Sequence, residues 1–134
     1  MIERVHPLVA LAAGSAGSAE VRLAALPPTA RWIIRGDTFE LGLAKPDTCR
    51  ARVSGDRALL WLGPDEFLLL APEGTDGGTM AIDVSHRDTA IEVFGARAAW
   101  AINAFCALDL HPSAFPVGMC TRTAFASTGH PLAD

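Results

Sequence analysis

The 134-residue sequence contains a single lysine, three cysteines and no apolar run near the roughly 18–20 residues that a membrane-spanning helix needs. The longest such run, residues 8–13, passes at once into Gly, Ser and Ala. A formal net charge of −4, with arginine supplying ten of eleven basic residues, gives no electrostatic support for nucleic acid or an anionic membrane surface as a partner. Cys49, Cys106 and Cys120 are odd in number and show no metal-ligand spacing, and no signal peptide precedes them, so a reduced, cytoplasmic setting is expected. Phosphate-cradling patterns such as GxGxxG or GxxxxGK[ST] are absent, as is a hydrolase nucleophile elbow.

What is present is an apolar half dominated by alanine. Hydrophobic residues make up 50% of the chain, but 24 of them are Ala, so the expected core is modest for a domain of this length. Residues 1–30 read as a flexible amino-terminal arm, with small-residue low complexity at 12–19 and a Pro27-Pro28 stop. Residues 31–126 form a single domain, and 127–134 a tail. The run Arg-Trp-Ile-Ile-Arg at 31–35 has strand character, and Phe39, Leu41 and Leu43 alternate as in a second strand. Residues 58–62 and 66–71 are dense apolar runs around Gly63-Pro64-Asp65, expected as strands buried on both faces or nearly so. Strand character returns at 80–84, 89–94 and 120–125. Between them, about 95–107 predicts the one main helix, with Ala98, Ala101, Ile102, Phe105 and Cys106 forming an apolar stripe. This order favours an α+β fold with an antiparallel or mixed sheet.

Two polar clusters are candidates for chemistry. At 83–87 (Asp-Val-Ser-His-Arg), Ser85 beside His86 suggests a nucleophile and base, but neighbours on a strand point to opposite faces. The simpler expectation is that Asp83 and Ser85 turn the chain while His86 and Arg87 serve hydrogen bonds or an interface. In the second cluster, Asp109 and His111 lack a third metal ligand nearby, which favours a structural loop around Ser113. Cys106 and Cys120 could approach across the helix and the following strand, although free buried cysteines are the plainer expectation. Trp32, Trp61 and Trp100 read as core or interface anchors. No catalytic, cofactor-binding or metal site emerges from the residues.

Four segments in order resemble a known family: 60–70 (Leu-Trp-Leu-Gly-Pro-Asp-Glu-Phe-Leu-Leu-Leu), 83–90 (Asp-Val-Ser-His-Arg-Asp-Thr-Ala), 92–98 (Glu-Val-Phe-Gly-Ala-Arg-Ala) and 106–116 (Cys-Ala-Leu-Asp-Leu-His-Pro-Ser-Ala-Phe-Pro). Together they resemble the gamma subunit of heterotetrameric sarcosine oxidase. Residues 83–118 are also similar to the folate-binding aminomethyltransferase family of the glycine cleavage system, which implies an abridged version of that fold. The first resemblance implies a non-catalytic subunit of a complex that oxidatively demethylates sarcosine to glycine, passing the one-carbon unit to tetrahydrofolate or releasing it as formaldehyde, and forming hydrogen peroxide. It places FAD, FMN, NAD and tetrahydrofolate in the larger subunits, with alpha, beta and delta subunits as partners. Trp32, Phe67, His86, Arg87, His111 and Phe115 are the expected partner contacts. A free-standing folate or one-carbon module and a self-associating homodimer without ligand are the alternatives. This sequence shortens two features of the gamma-subunit family. Residues 72–81 are too few for a crossover helix with its connections, and the family's last strand and helix have no counterpart after Phe125. Direct pairing of the strands on either side of that short link would have to be antiparallel, and a sheet face normally covered by helices is expected to be bare.

Overall fold

The computed structural model describes residues 16–17, 20–36, 41–87 and 89–125. Its elements are β1 (Ala16–Gly17), β2 (Arg22–Ala25), β3 (Ala30–Arg35), β4 (Ala51–Ser54), β5 (Arg57–Gly63), β6 (Glu66–Ala71), β7 (Ala81–Asp83), β8 (Ile91–Phe94) and one short helix, α1 (Ala98–Asn103). The strands form a five-stranded sheet of order β4-β5-β6-β3-β7 and a three-stranded sheet of order β1-β2-β8, in which every pairing is antiparallel. The α+β expectation therefore holds.

The larger sheet grows from two tight hairpins. β4 turns into β5 through Gly55-Asp56, and β5 into β6 through Pro64-Asp65, with a register irregularity between Trp61 and Gly63. Strand register places Leu59, Leu69 and Trp32 in one row and Trp61, Phe67, Ile34 and Ala81 in the next, all on one face. That face is the core. Phe67, Leu59 and Leu69 are its largest fully buried side chains, each stabilising the fold by roughly 1.5–3 kcal/mol through loss of apolar surface to water. Leu41 and Leu43 complete the core from a loop: both are buried, but they lie in no ladder, so their alternation signals burial and not a strand. Phe39 lies outside the described residues.

The opposite face is less well covered than the sequence implies. There, Ala51, Leu60, Leu68, Ile33 and Ile82 form a row across all five strands, flanked by Val53, Ala58, Leu70 and Arg31. Ile33 and Arg31 are buried and the leucines half-buried, but the outer residues Val53 and Ile82 are 70% and 62% exposed. Strands β5 and β6 are thus buried on one face and half-covered on the other.

The short link between β6 and β7 contains no helix, as its length requires, yet the two strands are not neighbours. β3 lies between them, antiparallel to both, so β6 and β7 run parallel to each other. Nine residues suffice because the chain crosses only one strand, about two spacings of 4.8 Å, and returns only from the level of Ala30 to that of Ile34. The link is fastened to β3 by Trp32, whose indole Nε1–H donates to the Thr75 carbonyl (2.9 Å). Gly77 lies flat against the same ring, where a β-carbon would overlap the indole.

Two other expectations change. Residues 22–25, read as part of an arm, form β2 and pair along their whole length with β8. The pairing is extended by Leu26 N–H to Ala90 O (2.9 Å) and Arg97 N–H to Glu20 O (3.0 Å). The helix is six residues long instead of spanning 95–107. At its end the Asn103 amide donates to the Leu108 carbonyl and accepts the Leu110 N–H (3.2 Å), while Ala104 and Phe105 close short bonds to Ala101 and Ile102. A polar side chain thus folds the following loop back and stops the helix. None of its residues is buried, and Trp100 is 63% exposed beneath the Arg97 guanidinium, which lies 3.9 Å from the ring centroid. Beyond it, 120–125 forms no strand among the described residues; the Arg50–Met119 bridge joins this part of the chain to β4's end of the sheet. No helix of the described residues is long and apolar enough to cross a membrane.

The fit between Gly77 and Trp32 gives a direct test. Gly77→Ala must displace the indole from a packed position, so it is expected to lower stability by about 1–3 kcal/mol in urea denaturation. Gly63→Ala, which meets nothing closer than the Glu66 β-carbon at 3.9 Å, is the control and should change little.

Candidate functional site

The polar groups of interest gather where β7 leaves the sheet and where the chain runs on past α1. Asp83 ends β7, and its Oδ1 accepts the Ser85 N–H (2.9 Å), forming the turn that this short polar pattern favours. Val84, buried, donates its N–H to Arg31 O (2.8 Å), and Arg87 N–H closes onto Val84 O (3.0 Å). Ser85 then continues the ladder with its side chain. Its hydroxyl accepts the Arg31 N–H (2.8 Å) and lies 3.3 Å from Arg31 O, to which it can donate. That hydroxyl is occupied by backbone, so no Ser85–His86 dyad forms, and His86 and Arg87 stand exposed at the turn.

The second cluster is also a loop held by its own polar groups. Asp109 Oδ1 accepts the His111 N–H (3.0 Å), His111 Nδ1 accepts the Ser113 N–H (3.2 Å) and pairs with the Ser113 hydroxyl (2.8 Å), and the His111 carbonyl receives both Ala114 and Phe115 N–H groups (2.8 Å each). Every described bond of Asp109 and His111 thus serves the turn. Among the described residues no group of three or more His, Cys, Asp or Glu could hold a metal ion.

Of the six expected partner contacts, His86, Arg87 and His111 are exposed and Phe115 is half-buried. Trp32 is half-buried, with its ring and Nε1 committed to the link above it. Phe67 is a correction: at 0% exposure it is a core residue, since the alternation of β6 turns Phe67, Leu69 and Ala71 inward together. The signal was in the register, because a dense apolar run shows which residues are large but not which face is covered.

Two features were not identified from the sequence. Arg31 is the single buried charged side chain among the described residues, at 4% exposure, although it begins what reads as an ordinary strand. A shallow depression of about 400 Å³ lies at one end of the half-covered sheet face, lined by Thr29, Val53, Ala58, Leu70 and Pro72 among others. All three cysteines are free, as expected, and half-buried. Cys120 stands beside Cys49: its N–H donates to Cys49 O (3.0 Å) and its sulfur lies 3.5 Å from the Trp61 carbonyl. Burial raises the Cys120 thiol above a cysteine's usual value; the bond to Trp61 opposes this, and Cys49 adds to it.

No family model matches the chain. Curated relatives do. It is 37% identical over 81 residues to sarcosine oxidase subunit gamma of Corynebacterium sp. (strain P-1) and 40% identical over 81 residues to that of Arthrobacter sp., each match covering 52% of this chain. A solved structure, heterotetrameric sarcosine oxidase from Corynebacterium sp. U-96 in complex with pyrrole 2-carboxylate, contains a chain that superposes with a TM-score of 0.74 at 29% identity, over 91% of this chain and 76% of that one. About half of the chain is thus similar to sarcosine oxidase gamma subunits. It spans about 40% of the length of those two curated gamma subunits. The resemblance read from the four ordered segments is thereby shown, and the likeness to the sarcosine oxidase chain extends beyond those segments to nearly the whole fold.

The geometry separates two residues that the sequence sets side by side. Ser85→Ala leaves the Arg31 backbone without its partner and is expected to cost about 1–2 kcal/mol, whereas His86→Ala should be close to neutral in the same thermal or urea measurement. For Cys120 the raised pKa means that the neutral thiol persists to higher pH, and alkylation requires the thiolate. Its iodoacetamide rate, followed by peptide mass spectrometry, should therefore reach half-maximum at a higher pH than that of a free cysteine peptide.

Proposed function

We propose that this chain is a gamma-type, non-catalytic subunit of a heterotetrameric sarcosine oxidase, held against larger alpha and beta subunits and a delta subunit. The observation that carries this reading is the likeness of nearly the whole chain, at a TM-score of 0.74, to one chain of such a heterotetramer. The complex would oxidise sarcosine to glycine in the cytoplasm, passing the one-carbon unit to tetrahydrofolate or releasing formaldehyde, and form hydrogen peroxide. FAD, FMN, NAD and tetrahydrofolate would be bound by the larger subunits.

The five-strand apolar row supports the same reading. Ile82 at one end of the row and Val53 beside its other end leave large apolar side chains in water, and removing such surface from water is the main driving force for stable association. His86 and Arg87 beyond the end of β7, and His111 and Phe115 in the loop after α1, would supply polar and aromatic contacts.

Co-expression with alpha, beta and delta subunits and affinity purification on the alpha subunit tests the assignment. The expected result is one copy of this chain per complex, and recovery of an active complex that excludes it overturns the reading. A Val53→Asp/Ile82→Asp variant keeps the core intact because both positions are exposed, so circular dichroism should be unchanged while retention in the complex falls at least about tenfold, the equivalent of 1.4 kcal/mol. Full retention of that variant would move the interface to another surface.

A further inference from the structure

An isolated antiparallel bridge brings two cysteines next to each other. Arg50 and Met119 stand opposite each other as an antiparallel bridge, and the bonds on either side of it, Ala51 N–H to Gly118 O (2.8 Å) and Cys120 N–H to Cys49 O (3.0 Å), fix the register. Cys49 and Cys120 are therefore the next opposed pair. Directly opposed residues of antiparallel segments have α-carbons about 4.5–5.5 Å apart, within the roughly 4.4–6.8 Å that a disulfide spans. Cys49 is also the one non-glycine residue with positive φ (57°) among the described residues, a conformation that turns the loop after Asp47 into the bridge. Both cysteines are half-buried, and Cys49 contributes to raising the Cys120 thiol, as a neighbouring thiolate does.

We propose that Cys49 and Cys120 form a reversible intramolecular disulfide when the protein meets a peroxide. One thiolate attacks an oxygen of hydrogen peroxide, the O–O bond breaks, and a sulfenic acid forms while the leaving hydroxide takes up the proton lost by the thiol and departs as water. The second thiolate attacks that sulfur, the S–O bond breaks, and a second water leaves. Two thiols are oxidised and one peroxide is reduced. The bond would lock the segment after Gly118 onto the outer edge of the five-stranded sheet, where one bridge, the Cys120 Sγ bond to Trp61 O (3.5 Å) and the Arg122–Glu66 ion pair (3.5 Å) now hold it. The inference rests on strand register and is independent of the proposed subunit role.

The test uses the full chain, reduced, then treated with one equivalent of hydrogen peroxide. Titratable thiols are expected to fall from three to one, non-reducing peptide mass spectrometry should show the Cys49 and Cys120 peptides joined with loss of two hydrogens, and dithiothreitol should reverse both changes. The Cys106→Ser variant should go from two thiols to none at an unchanged rate, a result that does not require disturbing either residue of the pair. The thermal midpoint of the oxidised protein should rise by at least about 5 °C, because the cross-link closes a long loop. A Cys106–Cys120 bridge, dimers joined through Cys106, or sulfinic acid on Cys120 without a cross-link would each overturn the proposal.

Discussion

Strand β3 is hydrogen-bonded along both edges, and the rest of the molecule is organised by what those edges hold. On one side it pairs with all six residues of β6, which ties it to the two hairpins and to the core built on Phe67, Leu59 and Leu69. On the other it pairs with only three residues of β7, and the pairing continues past the strand's end through the Val84 amide and then the Ser85 hydroxyl, both directed at the Arg31 backbone. A serine side chain thus finishes a ladder that the backbone alone leaves short. Trp32 adds a third attachment by holding the connection between the two flanking strands. An unpaired backbone group in this buried position would cost about as much as a lost hydrogen bond plus its desolvation, which is why so short a strand as β7 is nonetheless a fixed one.

The contrast between the two faces of the larger sheet follows from the alanine-rich composition. There are enough large apolar side chains to close one side completely and to occupy the other with leucines that remain half in water. Burial on the second side requires surface that the described residues do not supply. The single helix does not provide it: it is six residues long, with no buried residue. In the proposed heterotetramer a larger subunit would cover that incomplete face.

What could be read in the sequence was whatever is encoded locally. The β5–β6 hairpin is legible because two apolar runs flank Gly63-Pro64-Asp65, and the turn at Asp83 because an aspartate and a serine two residues apart make their own hydrogen bonds. The loop at Asp109, His111 and Ser113 is legible for the same reason. β2 and β4 were invisible, since Arg-Leu-Ala-Ala and Ala-Arg-Val-Ser carry little hydrophobic pattern and are strands only because distant segments offer them backbone partners. The helix was read too long because its apolar periodicity continues to Cys106 while the Asn103 side chain ends it. The burial of Arg31 and Phe67 and the opposition of Cys49 and Cys120 depend on register between segments far apart in the chain, which no local pattern contains.

The link over Trp32 carries a consequence for how such domains change length. Its two ends are fixed by the width of one strand and by four residues of β3, so the gap to be bridged is set by the sheet and is indifferent to what fills it. A nine-residue strap clamped by an indole and a longer excursion containing a helix can start and finish at the same two points, and each doubling of a flexible connection costs only about 0.6 kcal/mol in closure entropy. The connection is therefore a site where the chain can gain or lose whole elements without disturbing strand order, provided that something small enough to lie against Trp32 takes the place of Gly77.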